Sequence, residues 1–155
     1  MKIFIGSDHA GFEYKSKIKE WLDKSGYSVE DVGPFKYDPK DDYPTYSFKV
    51  AEQVAKTKDS YGVIIARSGI GESIVANKVT GVRAVSFFGK PPKDFLKMSR
   101  MHDNTNVLCF GSEFVTLPEA KKAITIWLKT EFKNETRHKR RLKEISDYEK
   151  KHWRN

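Results

Sequence analysis

Three stretches of this chain, KIFIG at 2–6, YGVIIA at 61–66 and NVLCFG at 106–111, carry continuous apolar runs. A strand with one wet face alternates apolar and polar residues, whereas a strand covered on both faces does not need to. The three runs therefore predict strands inside a parallel sheet. Two further strand-like segments, YSVEDVG at 27–33 and VRAVSFF at 82–88, bring the expected strands to five. Between them, apolar residues recur at helical spacing: Tyr14, Ile18, Trp21 and Leu22; then Tyr46, Val50 and Val54; then Ala120, Ile124, Trp127 and Leu128, with Pro118 at the start of that helix. Strand–helix alternation of this kind predicts an α/β fold with helices on both faces of the sheet.

At 155 residues the chain is expected to form one domain, with residues 1–132 as its α/β body and 133–155 as a basic helical tail. A last helix is expected from about Thr136 to Lys151, where Leu142, Ile145 and Tyr148 give a thin apolar stripe. A stripe that thin needs a surface to dock on, either the chain's own body or a partner subunit. The net charge of +8 is concentrated there: residues 133–155 hold nine Lys or Arg against four Asp or Glu. Such a tail suits a nucleic-acid arm, a solvated helix face or a site for a phosphorylated ligand. Its cations are interleaved with Glu144, Asp147 and Glu149 and no nucleic-acid motif is present, so no nucleic-acid partner is expected. No run approaches the length of a membrane helix, and the opening MKIFIGSDHAG does not read as a signal peptide. The lone Cys109 excludes an intrachain disulfide and fits a reducing cytoplasm, the expected location. No HxxxH or CxxC spacing occurs, so no metal is expected.

In open parallel sheets, ligands bind beyond the carboxyl ends of the strands. The first strand runs into GSDHAGF, with Asp8 and His9, and the third into ARSGIGE, with Glu72. The fourth leads through a helix to SRMHDNTN, with His102 just before the fifth strand. These three polar segments are expected along one sheet edge. Gly69 and Gly71 allow backbone amides to turn inward, and the following helix adds its positive end, which together make a hole for a small anion. Neither GxxxxGK[ST] nor the third glycine of a dinucleotide loop is present.

Glu72 fits two roles, a favourable carboxylate in the first helical turn or a base for proton abstraction from carbon. A capping box needs Glu three residues after Ser or Thr, and Ser68 is four away. The helix end should lower its pKa and burial should raise it; a carboxylate that stays ionised beside an anion hole suits a carbon-acid base. His9 beside Asp8 also reads as a loop pair satisfying backbone groups, and His102 as a cap at a helix end.

Together GSDHAGF (6–12), DYPTYS (42–47), SGIGESIVANKVTGVRAV (68–85), SRMHDNTNVLCFGS (99–112) and TRHKRR (136–141) resemble the ribose-5-phosphate isomerase B family, which includes the galactose-6-phosphate isomerase subunits. The resemblance implies a three-layer, Rossmann-like α/β/α sandwich with a five-stranded parallel sheet. It also implies an aldose–ketose isomerase of sugar phosphates that uses no cofactor. The unit implied is a homodimer or a dimer of dimers with the active site between subunits, the basic tail 133–155 packing on the partner subunit and supplying it with phosphate ligands. By resemblance, His102 opens the sugar ring. One branch of the family uses a cysteine base where Ala66 stands; the other uses a glutamate, here Glu72, which moves a proton between C2 and C1. Ser68, Gly69, Ile70 and Gly71 would steady the oxyanion, Asp8 would hold sugar hydroxyls and Tyr46 would line the pocket. His9, Arg137, His138 and Arg141 match positions at the phosphate end.

Four departures stand out. Glu113 replaces a common phosphate-holding arginine, Asp103 replaces a substrate-contacting asparagine, and Arg67 replaces a glycine. The segment FFGKPPKDF is longer than usual. Arg67 or Arg140 would then be expected to compensate for Glu113, or the substrate to be a tetrose or hexose phosphate. A sugar-phosphate sensor without catalysis is the alternative from another class, disfavoured because both Glu72 and His102 are present.

Overall fold

A computed structural model describes residues 1–90, 92 and 94–153. Five strands, β1 (Lys2–Ser7), β2 (Ser28–Asp31), β3 (Ser60–Ala66), β4 (Ala84–Phe87) and β5 (Val107–Gly111), form one sheet in the order β2-β1-β3-β5-β4. Every pairing is parallel. Among the described residues the helices are α1 (Phe12–Lys24), α2 (Tyr43–Lys56), α3 (Ile70–Ala76), α4 (Phe95–Asp103), α5 (Leu117–Leu128) and α6 (Thr136–His152), with a 3₁₀ turn at His9–Gly11. The chain therefore has the expected Rossmann-like α/β architecture. Arg154 and Asn155 of the tail, and Pro91 and Lys93 of the FFGKPPKDF segment, lie outside the described residues.

The three apolar runs are the three interior strands, and their alternate residues feed two cores. Ile3, Ile5, Val63, Ile65, Leu108 and Phe110 pack with Ile18 and Leu22 of α1, Leu96 of α4 and Ile124 and Trp127 of α5. Phe4, Ile64, Val107 and Cys109 pack on the other face with Val50 and Val54 of α2 and Ala76 of α3. Full burial of such side chains stabilises by about 1.5–3 kcal/mol each, which is why no alternation survives in these strands. Helix α5 begins with a capping box, Thr116 and Glu119, in addition to its proline.

Helix α6 docks on its own body through two polar side chains that are nearly fully buried, His138 and Glu149. Glu149 Oε2 accepts the Gly81 amide at 3.1 Å. Of the thin apolar stripe, Leu142 is half-buried while Ile145 and Tyr148 remain exposed. Among the described residues no helix is long and apolar enough to cross a membrane.

Candidate active site

Two separate groups of the expected site residues emerge. The first lies at the carboxyl edge of the sheet. β1 delivers Asp8, which caps the 3₁₀ turn by accepting the Gly11 amide at 3.1 Å. β3 delivers the loop Arg67–Gly69 and then α3. Gly69 has φ +82°, and a Cβ there would sit 2.7 Å from Phe110 Cα, so the loop can lie against β5 only with glycine at this position. A Cβ at Gly71 would meet the Tyr43 ring at 2.8 Å. Ser86 of β4 fixes the turn, donating to the Gly69 carbonyl at 2.9 Å. Ser68 and Ile70 complete it: the Ile70 amide donates to Ser68 Oγ at 3.3 Å. The expected anion hole is thus partly satisfied by its own serine.

Glu72 is 4% exposed. The helix N-cap is Gly69, three residues before Glu72, rather than Ser68. Its carboxylate lies close to the amides of Gly69 and Glu72 itself, so a capping contribution, set aside on the Ser68 spacing, is present. Those amides do not control its acidity. Burial pushes the Glu72 pKa up and the charge of Asp8 adds to this, outweighing the helix end. Asp8 is raised as well, chiefly by burial. Glu72 Oε2 is buried with no hydrogen-bond partner among the described residues. Cys109 lies fully buried nearby, its thiol raised by burial and then by the charge of Glu72.

The rim of this group holds His9, Tyr46 and Arg67. His9 Nδ1 is 2.7 Å from Asp41 Oδ1, the same oxygen that accepts the His9 amide at 2.9 Å. The pKa of His9 is raised, first by that bond. Tyr46 lies beside the same aspartate, its hydroxyl pKa raised by burial and then by the charge of Asp41. Arg67 Nε donates to Glu113 Oε1 at 2.8 Å, and Arg140 lies 3.7 Å from Glu144. Neither arginine expected to compensate for Glu113 is therefore unpaired, and Arg67 is held by Glu113 itself.

The second group corrects the expectation of one edge. α4 runs back against the direction of the strands, so its last turn brings His102 and Asp103 to the amino ends of β4 and β5. Arg83, just before β4, donates to the Asn104 carbonyl at 2.9 Å. The His102 ring stacks on His138 of α6, with 4.6 Å between centroids and 7° between planes. His138 is nearly fully buried; burial and then neighbouring cations hold its pKa below the usual histidine range. It backs the His102 ring, and its Nε2 is buried with no hydrogen-bond partner among the described residues. Arg141, with His102 and Asp103, lines a cleft of about 950 Å³ that Tyr148 and Trp153 also line. Arg137 is exposed and paired with Glu135 at 3.0 Å. Within one chain, then, His9 and Glu72 sit on one sheet edge and His102, Arg137 and Arg141 on the other side of the molecule.

Two important residues carried no local signal. Asp41 meets His9 across 32 positions. Arg100, 4% exposed, holds the end of α4 through Asn104 Oδ1, the carbonyls of Thr105 and Thr130 and the Tyr61 hydroxyl. Lys and Arg are seldom buried, and nothing in SRMHDNTN marks this one.

Comparison with known proteins places this geometry. A family model described as ribose/galactose isomerase matches residues 3–145. Ribose-5-phosphate isomerase B of Mycolicibacterium paratuberculosis is 35% identical over 98% of this chain and 94% of its own length. Among solved structures, ribose-5-phosphate isomerase B of Clostridium thermocellum superposes with a TM-score of 0.88 at 41% identity, covering 97% of this chain and 99% of its own. That of Mycoplasma genitalium, crystallised with bound ribulose-5-phosphate, superposes with a TM-score of 0.89 at 41% identity, covering 96% of each chain.

Proposed function

The chain belongs to the ribose/galactose isomerase family, and from that premise we propose that it interconverts ribose 5-phosphate and ribulose 5-phosphate. The observation that carries this reading is Glu72: a buried carboxylate with one free oxygen, its pKa raised, beside a glycine turn. A carboxylate whose pKa is raised by burial is a stronger base than an exposed one, as proton abstraction from carbon requires. Glu72 takes the C2 proton of the open-chain aldose, giving a cis-enediolate, and returns it to C1 to make the ketose. Ser68 and the amides of Gly69, Ile70 and Gly71 face the developing oxyanion. Asp8 and Tyr46 hold sugar hydroxyls, and His102 opens the ring with Asp103 beside it.

These roles need Glu72 and His102 in one site, and a single chain keeps them on different edges. The working unit is therefore a homodimer or a dimer of dimers. One chain supplies Glu72 and His9, and its partner supplies His102 from α4 with Arg137 and Arg141 from α6. Those exposed arginines suit a phosphate dianion by bidentate hydrogen bonding. The protein would act in the cytoplasm on a small sugar phosphate without a cofactor.

A second reading is favoured by one contact. The Arg67–Glu113 pair puts an acid where relatives commonly carry a phosphate-holding arginine, which suits a tetrose or hexose phosphate whose charged end lies elsewhere. A panel of aldose phosphates of four to six carbons, assayed with wild type and Glu72→Gln, decides. Turnover of the pentose phosphate that is lost in the variant supports the first reading. Preference for another length supports the second. No turnover or C2 proton exchange with any member overturns both.

A further inference from the structure

The loop between β2 and α2 is fixed at its start without help from the active site. Lys15, 1% exposed, drives its ammonium onto Asp31 Oδ1 and the Pro34 carbonyl, each at 2.7 Å. Farther along, Asp41 turns inward until its side chain is 7% exposed, while the His9 side chain it meets is 36% exposed. One oxygen of Asp41 receives both the backbone amide and Nδ1 of His9. The other, Oδ2, is buried with no hydrogen-bond partner among the described residues. A half-satisfied buried carboxylate costs stability; with the loop already tied down by Lys15, Asp41 is committed to His9, with the Tyr46 hydroxyl beside it as a further donor.

We propose that Asp41 is a positioning residue for anion binding: by gripping the amide and Nδ1 of His9 it fixes the ring so that Nε2–H is presented to the phosphate end of the substrate. The chemistry follows from donors and acceptors. A carboxylate only accepts, so Nδ1 carries a proton. A neutral ring protonated at Nδ1 offers a lone pair at Nε2, which repels phosphate; only the imidazolium offers a second donor. Asp41 favours that form, as does Asp8 on the same turn, and these are the two charged groups acting on His9. Tyr46 and, beyond it, Asp38 complete the surroundings of Asp41. The raised pKa of His9 agrees with this geometry.

The proposal rests on the reading of the ligand as a sugar phosphate, and its test is separable from turnover. Histidine-labelled full-length protein is titrated with inorganic phosphate and followed by nitrogen NMR. In wild type, phosphate is expected to shift His9 Nε2. Asp41→Asn is expected to weaken phosphate binding about tenfold and to lower the pH at which His9 loses its proton. In turnover the same variant raises KM for ribose 5-phosphate by a similar factor with kcat nearly unchanged. Unchanged phosphate affinity in Asp41→Asn, or a loss confined to kcat, overturns the proposal. Should Asp41→Asn not fold, His9→Gln is the second variant, and full phosphate affinity in it overturns the proposal equally. If Asp41→Asn weakens phosphate binding while wild type isomerises no aldose phosphate, the role of Asp41 stands and only the isomerase reading is overturned.

Discussion

The imidazoles of His102 and His138 lie face to face, 4.6 Å apart and 7° from parallel, joining α4 to α6. Burial is the main cause that lowers the His138 pKa, and Arg137, His102 and Arg141 oppose its charging further. Its folded pKa lies below the unfolded value, so the unfolded chain binds the proton more readily. Stability is then intact above the ordinary histidine range, about pH 6.5, and is lost as the pH falls through the folded pKa. Urea unfolding across pH 5–8 should show this acid-side loss in wild type and a smaller one in His138→Phe. An identical pH dependence in both would show that His138 is not its source.

Glu72 carries the opposite linkage. Its folded pKa is raised, so its stability contribution is present below the ordinary carboxylate range and lost as the pH rises through the folded pKa. Glu72→Gln should therefore be more stable than wild type at neutral pH, with the difference closing in acid. Its kcat should fall by at least about a hundredfold. Thermal unfolding and steady-state kinetics on one preparation check both; a variant that is destabilised at neutral pH would contradict the burial cost assigned to the ionised form.

The division of Glu72 and His102 between two sheet edges makes a hybrid test possible. Glu72→Gln and His102→Ala should each be nearly inactive alone. Unfolded together and refolded as a mixture, they should recover about a quarter of wild-type activity, because half of the random dimers contain one intact site of two. No recovery from a mixture shown to exchange subunits would place both residues in one chain's site.

Arg67 and Glu113 are both largely exposed, so solvent screens their 2.8 Å pair and it adds little to stability. Glu113→Ala should leave the unfolding midpoint almost unmoved, yet release Arg67 and lower KM for an aldose phosphate. The gain should shrink at high salt, where exposed charges are screened. KM measured at two ionic strengths checks this, and an unchanged KM at low salt would remove Arg67 from the phosphate end.

Arg100 should matter for stability and only indirectly for chemistry. Arg100→Ala strips partners from the carbonyls of Thr105 and Thr130 and the Tyr61 hydroxyl, and should cost about 3 kcal/mol by urea unfolding. His102, in the same last turn of α4, would lose its support, so kcat should fall along with stability. Loss of stability with full kcat would detach the α4 anchor from the position of His102.

Periodicity by itself determined the sheet: the apolar runs at 2–6, 61–66 and 106–111 could be satisfied only by strands covered on both faces, and they are the three interior strands. The turn at Gly69 was legible for the same local reason, since a strand entering a helix through glycines leaves few backbone solutions. What the sequence could not carry was distance through space. Asp41 reaches His9 across 32 positions, and Arg67 meets Glu113 across 46. The side of the sheet on which His102 falls depends on the direction in which α4 runs, and the net acidity of Glu72 depends on how much water the packed helices leave around it. Hydrophobic patterning is read by neighbours along the chain, whereas ion pairs, desolvation and the division of a site between two edges exist only once the chain has closed on itself.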